Sequence, residues 1–245
     1  MARKKAVVIG AGLGGLSAAI NLSADFDVHI FEKNSSAGGK ANQIELGGFR
    51  FDTGPSLLTM PAVLKNIFVE QGENPDNYLD ITQLDNLCRY FYSDGTIING
   101  YSLIKKFAEE IDTRTSDSSK AVKKYFDYSK KIYDITAEIF LFKSLNELET
   151  YTNLNTLKSL MRIYKIDSFR SVHKAHAAFF RDPKVVQLFD RYATYSGSNP
   201  YKAPATLNII PYVEYVLGGF VVKGGIYSIV KALQKLAVKR SVKFH

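Results

Sequence analysis

An α/β fold that opens on a parallel strand–helix–strand unit and then admits a mixed α+β insertion is what the sequence predicts. Three observations predict it. Short apolar runs at 6–9 and 28–31 flank a stretch of helical periodicity, with a glycine-rich turn at the start of that stretch. Further on, a hairpin signal and a long helical pattern break the alternation. A late glycine pair at Gly224-Gly225 then precedes another helix.

The first element, Ala6-Val7-Val8-Ile9, reads as a buried parallel strand because all four residues are apolar. Gly10-Ala11-Gly12-Leu13-Gly14-Gly15 follows and holds the pattern G-x-G-x-x-G at Gly10, Gly12 and Gly15. Leu16, Ala19, Ile20 and Leu22 recur at helical spacing, and Val28 to Phe31 forms a second strand ending at Glu32. Strand, glycine turn, helix, strand and acidic residue in this order form the Rossmann-like arrangement that binds dinucleotides. Gly10 permits the tight turn, Gly12 admits a pyrophosphate close to the backbone, and Gly15 lets helix and sheet approach. The helix N-terminus turns free N–H groups towards the phosphates. Glu32 stands where its carboxylate accepts hydrogen bonds from ribose hydroxyls, and it repels a 2′-phosphate, which disfavours NADP.

Six residues after Glu32, Gly38-Gly39-Lys40 offers a second backbone approach with a cation beside it, an element that NAD domains do not need. The string from Glu32 through Gly38-Gly39-Lys40, followed by Phe51-Asp52-Thr53-Gly54-Pro55-Ser56, resembles the carotenoid (phytoene) desaturase branch of the flavin amine oxidase superfamily. The resemblance implies FAD as cofactor, with contacts from Gly10, Gly12, Gly15, Glu32, Gly39, Lys40, Pro55, Ser56 and Leu57. It also implies a Rossmann-like FAD-binding domain interrupted by a substrate domain of mixed sheet and helices.

Later segments fit the same picture. Leu87 to Tyr92 and Thr96 to Tyr101 flank Asp94-Gly95, a hairpin turn. Ser118 to Phe142 reads as a long helix through Val122, Tyr125, Tyr128, Ile132, Ile135 and Ile139. Pro183 suits a first helical turn with Asp182 as its cap, and Gly197 and Pro200 end that helix. The stretch from Arg181 to Ala205 is again similar to carotenoid desaturases, and Val222-Lys223-Gly224-Gly225 looks like the return to the flavin domain. The expected division is 1–84 for FAD binding, 85–220 for substrate and membrane, and 221–245 for the return. Family members are longer, so the chain is expected to be an N-terminal fragment.

Composition narrows the classes. At 245 residues, 46% hydrophobic and 23% charged, the chain is an ordinary globular sequence with a sizeable core. Cys88 is its one cysteine, which excludes an internal disulfide framework and a thiolate cluster and fits a reducing, cytoplasmic compartment. The basic start reads as a first strand rather than a targeting segment, since Gly10 and Gly12 break the apolar run. The stretch 203–222 carries Pro204, Pro211, Glu214 and Asn208 and is not expected to span a bilayer. The net charge is +8, and the basic residues fall in no nucleic-acid motif, so nucleic acid is rejected as a partner. Leu157, Leu160, Met161 and Tyr164 form an apolar stripe, with Lys158, Arg162 and Lys165 on another face. An ordinary surface helix and a membrane-surface helix fit this pattern equally. The resemblance favours the latter, a monotopic attachment.

The activity implied is removal of hydrogen from a long polyene, with 3,4-desaturation of a hydroxylated carotenoid preferred to phytoene desaturation. Carotenoid isomerase, flavin amine oxidase and a non-enzymatic prenyl-lipid binding protein stay open as alternatives. No catalytic acid or base is singled out and no metal is expected. His173 and His176 read as a surface pair, Arg181 and Asp182 as a helix-start charge pair, and Cys88 as inert core.

Overall fold

The computed structural model describes residues 3–142 and 165–245, the side chains of 138–142 aside. The expected amphipathic helix lies outside the described residues except for Lys165. The chain divides into two compact units, Met1–Leu84 with Gly219–His245, and Asp85–Gly218.

In the first unit, β1 (Lys5–Ile9), α1 (Leu13–Leu22) and β2 (Asp27–Phe31) form the predicted β–α–β crossover. β2 pairs in parallel with β1 on one side and with β10 (Lys243–Phe244) on the other. α8 (Tyr227–Lys239) lies beside α1 and supplies Val230, Leu233, Leu236 and Ala237 to the core that also holds Leu16, Ala19, Ile20, Val28 and Ile30. Strand periodicity assigns the faces. Ala6 and Val8 pack on this core, and Val28 and Ile30 are buried within it. Val7 and Ile9 point the other way and are 61% and 89% exposed. The expectation of a buried strand is therefore corrected to a strand buried on one face, because α1 and α8 both lie on that face. On the opposite face His245 stacks on Phe31, with ring centroids 4.6 Å apart.

Three further pieces complete this unit. β3 (Gln43–Leu46) and β4 (Phe49–Asp52) form a hairpin through Gly47 and Gly48, both at positive φ. Next come β5 (Leu58–Thr59), α2 (Pro61–Val69) and β6 (Ile81–Gln83). β9 (Gly219–Val222) sits between β5 and β6, antiparallel to each.

In the second unit, β7 (Asn86–Phe91) and β8 (Ile97–Tyr101) make the predicted hairpin, with Gly95 at φ 84° in the turn. Its register shifts between Asn86 and Cys88. Cys88 is half-buried there, so its assignment to inert core is corrected. α3 (Ile104–Arg114) and α4 (Ser119–Phe142) pack together, with Val122, Tyr125, Ile132 and Ile135 on the buried face of α4. α5 (Val172–Phe179), α6 (Pro183–Asp190) and α7 (Ile209–Val216) are the other α-helices among the described residues of this unit. The aromatic residues here pack mainly on one another: Phe180 stacks on Phe189 at 4.9 Å and Phe107 on Tyr215 at 4.6 Å.

Two expectations change in this unit. Asp182 caps α6 as predicted, accepting from the Lys184 amide at 2.9 Å. Its other oxygen accepts from the Ser116 amide at 3.0 Å and the Ser116 hydroxyl at 3.3 Å, so its hydrogen bonds come from Ser116 and Lys184 rather than from Arg181. His176 is fully buried and His173 is part-exposed, not a surface pair. Both bind Asp190, which sequence spacing concealed because the carboxylate comes from the next helix, α6.

Candidate dinucleotide site

The glycine turn joins β1 to α1 by backbone contacts that leave little room for side chains. Gly10 adopts φ +96°, and its amide donates to the Phe31 carbonyl at 2.8 Å. A Cβ on Gly15 would lie 2.0 Å from the Gly10 carbonyl oxygen, which is the close helix–strand approach predicted for that position. Gly12 is different. A Cβ there, or on Gly14, would meet nothing within 4 Å. Packing among the described residues therefore does not demand glycine at these two positions. Gly12 is the N-cap of α1, with no side-chain cap and no acidic residue in the first turn. The first turn of the helix therefore presents amides and partial positive charge with no acidic residue of its own.

The second glycine element folds against the first. The Gly38 amide donates to the Ala11 carbonyl at 2.8 Å, and Gly12 and Gly38 form a parallel bridge. A Cβ on Gly39 would come 3.4 Å from the Gly12 Cα, at φ +59°. Glu32, at the end of β2, accepts from the Ala11 amide at 2.8 Å through one oxygen. Its other oxygen accepts from the Asn34 amide at 3.0 Å. These bonds, the one from Ala11 first, hold the Glu32 carboxyl below the usual carboxylate range. Glu32 thus ties the glycine turn to the strand that follows it.

The structure gathers Gly10, Gly12, Gly15, Glu32 and Gly39 into one cluster. The backbone of Lys40, next in the chain to Gly39, packs on Gly54: a Cβ there would lie 2.0 Å from the Lys40 carbonyl oxygen. The Lys40, Pro55 and Ser56 side chains are exposed, and Leu57 is half-buried just before β5. Sequence reasoning passed over Asp52, whose carboxylate accepts from the Ile226 amide at 2.8 Å at the start of α8. A Cβ on Gly225 would sit 2.2 Å from that carboxylate. The signal was present in Phe51-Asp52-Thr53 and in Gly224-Gly225, but their sequence separation hid the contact.

Among the described residues no group of histidine, cysteine and carboxylate side chains could hold a metal ion. No described helix is long and apolar enough to cross a membrane.

Known proteins place this geometry. Residues 8–70 match the NAD(P)-binding Rossmann-like domain family. The chain is 38% identical over 244 residues to the 1-hydroxycarotenoid 3,4-desaturase of Flavobacterium sp. (strain P99-3), covering 98% of this chain and 49% of that protein. It is 37% identical over 240 residues to the 4,4'-diapolycopene oxygenase of Methylomonas sp, covering 98% and 48%. Among solved structures, putrescine oxidase bound to putrescine superposes with a TM-score of 0.56 at 13% identity, over 100% of this chain and 51% of that one. An oxidoreductase from Methanosarcina mazei superposes with a TM-score of 0.54 at 19% identity, over 98% and 50%. These two show a shared fold. The chain spans about half the length of the curated relatives it matches. By sequence the chain is similar to a carotenoid desaturase and to a diapolycopene oxygenase, over about half the length of each.

Proposed function

We propose that the protein is an FAD-dependent carotenoid desaturase, removing hydrogen from a long polyene, with 3,4-desaturation of a hydroxylated carotenoid as the preferred reaction. The observation that carries the cofactor is the meeting of the two glycine elements, Gly12 against Gly38-Gly39, beside an uncapped helix end. A single G-x-G-x-x-G turn serves many dinucleotides, and the second element is the feature that favours FAD. The residues present fit the group. Gly10, Gly12 and Gly15 shape the approach to the pyrophosphate, Glu32 is placed for the ribose, and Gly39, Lys40, Pro55, Ser56 and Leu57 line the neighbouring segments. When bound, a flavin supplies the hydride acceptor. The task left to the chain is to orient cofactor and substrate and to exclude water. The substrate assignment rests on kinship with the 1-hydroxycarotenoid 3,4-desaturase.

A second reading, oxidation of a polyene at its end, is favoured by the 37% identity to the 4,4'-diapolycopene oxygenase. We place the protein in the cytoplasm, attached peripherally to a membrane surface where the substrate resides. The purified protein should carry a flavin absorption spectrum. Cells making hydroxylated carotenoids should gain a polyene with one more double bond when the protein is expressed. Colourless protein without extractable flavin would defeat both readings. A new carbonyl in place of a new double bond would favour the second.

A further inference from the structure

We infer that the second unit holds a binding site for a phosphate group, formed by Lys120 and Lys124 of α4 together with Arg181. The three side chains line one cavity of about 550 Å³. Its volume falls within the range of small-molecule pockets, roughly 300–1,000 Å³. Lys120 and Lys124 stand one helical turn apart and so share a face of α4. Arg181 comes from the turn between α5 and α6. Ala121 and Phe179 give the cavity apolar wall beside these cations.

These cations are not already neutralised. Among the described residues, none of the three side chains has an ion-pair or hydrogen-bond partner. One carboxylate shares the lining, that of Asp117. Its two oxygens accept from main-chain donors, the Arg181 amide at 2.8 Å and the Asp182 amide at 3.0 Å, which hold it in place. Asp182 and Asp112 also bond to this segment, at Ser116 and Ser119, but neither lines the cavity. The lining therefore carries three positive charges against one negative. A phosphate monoester, with a charge of about −1.5 to −2 at pH 7, balances that surplus, and a single carboxylate leaves half of it standing. Ser118 adds a donor. Its hydroxyl oxygen accepts from the Ala121 amide at 3.3 Å, and the hydroxyl proton remains for an incoming oxygen.

Lys123 provides the contrast. It carries the same charge on the same helix, but it belongs to another face and lies outside the lining. The cavity lies within the second unit and the glycine turn within the first, so the site does not rest on the flavin reading. A phosphate reaches such a cavity either free in solution or on a lipid headgroup, and the same cations would meet both.

The full chain, saturated with FAD so that the glycine turn is filled, can be titrated calorimetrically with inorganic pyrophosphate. Lys124→Gln should weaken binding about threefold, and Lys120→Gln with Lys124→Gln about tenfold, the scale expected for exposed charges. Lys123→Gln lowers the net charge equally and should leave the affinity unchanged. No binding of pyrophosphate, unchanged affinity in the double variant, or equal losses in Lys123→Gln and Lys124→Gln would each overturn the site. Flotation with vesicles of phosphatidylcholine and phosphatidic acid then separates the two sources. Flotation that the double variant loses and Lys123→Gln keeps assigns the phosphate to a lipid. Equal flotation of wild type and double variant assigns it to a soluble molecule. Protein that takes up no FAD would defeat the flavin reading alone, because the comparison among the lysine variants holds without it.

Discussion

Gly15 and Glu32 show how a single residue can be read at two depths. Both stand at motif positions, and the spacing alone identified them. The structure then attaches a physical reason to each. At Gly15 the obstacle to any side chain is the Gly10 carbonyl, a backbone atom that cannot rotate away. Gly15→Ala should cost about 2 kcal/mol, the range for forcing a methyl group into a filled space, and thermal denaturation would show it. An unchanged melting temperature would mean that the turn relaxes freely. Glu32 was predicted to meet a ribose, and here its carboxylate also holds the Ala11 and Asn34 amides. Glu32→Ala should therefore weaken FAD binding by about thirtyfold, on the order of 2 kcal/mol for a charged hydrogen-bonding group, as read by flavin fluorescence. Unchanged affinity would remove Glu32 from the site.

At the scale of elements, caps and turns were the most legible features. Asp182-Pro183, Asp94-Gly95 and the long apolar pattern from Val122 all sit where the spacing put them, because each depends on neighbours within a few residues. Asp182 binds more than its own helix requires. Burial opposes its ionisation, but the Ser116 and Lys184 amides outweigh that and hold its carboxyl below the usual carboxylate range. A depressed carboxyl contributes stability that is present above its unfolded value and lost as the pH falls through the folded one. Asp182→Ala should destabilise the protein by about 1–2 kcal/mol at neutral pH. The gap from wild type should narrow below about pH 4, where unfolded aspartate takes up its proton. A gap independent of pH in denaturant titrations would show that the charge on Asp182 is irrelevant. The two histidines resisted the same kind of reading. Their spacing on α5 is visible, but Asp190 and Asn208 reach them only after α6 and the segment before α7 fold back.

At the scale of the whole molecule, charge supports one further expectation. With a net charge of +8, the protein should float with vesicles containing phosphatidylglycerol at low salt. It should lose part of that association at about 1 M salt, where the screening length falls to about 3 Å. No flotation under either condition would exclude the membrane-surface reading. By itself the sequence determined the strand–glycine turn–helix–strand unit, the acidic residue after it and the second glycine element, since these are set by local backbone conformation and short-range periodicity. Only the tertiary structure decided that Gly38 lies on Ala11, that Asp52 holds the start of α8 and that Val7 and Ile9 face away from the core. The His173–Asp190–His176 relay was decided there too. Each of these joins segments far apart in the chain, or depends on which face of a sheet the helices choose, and no local pattern encodes that choice.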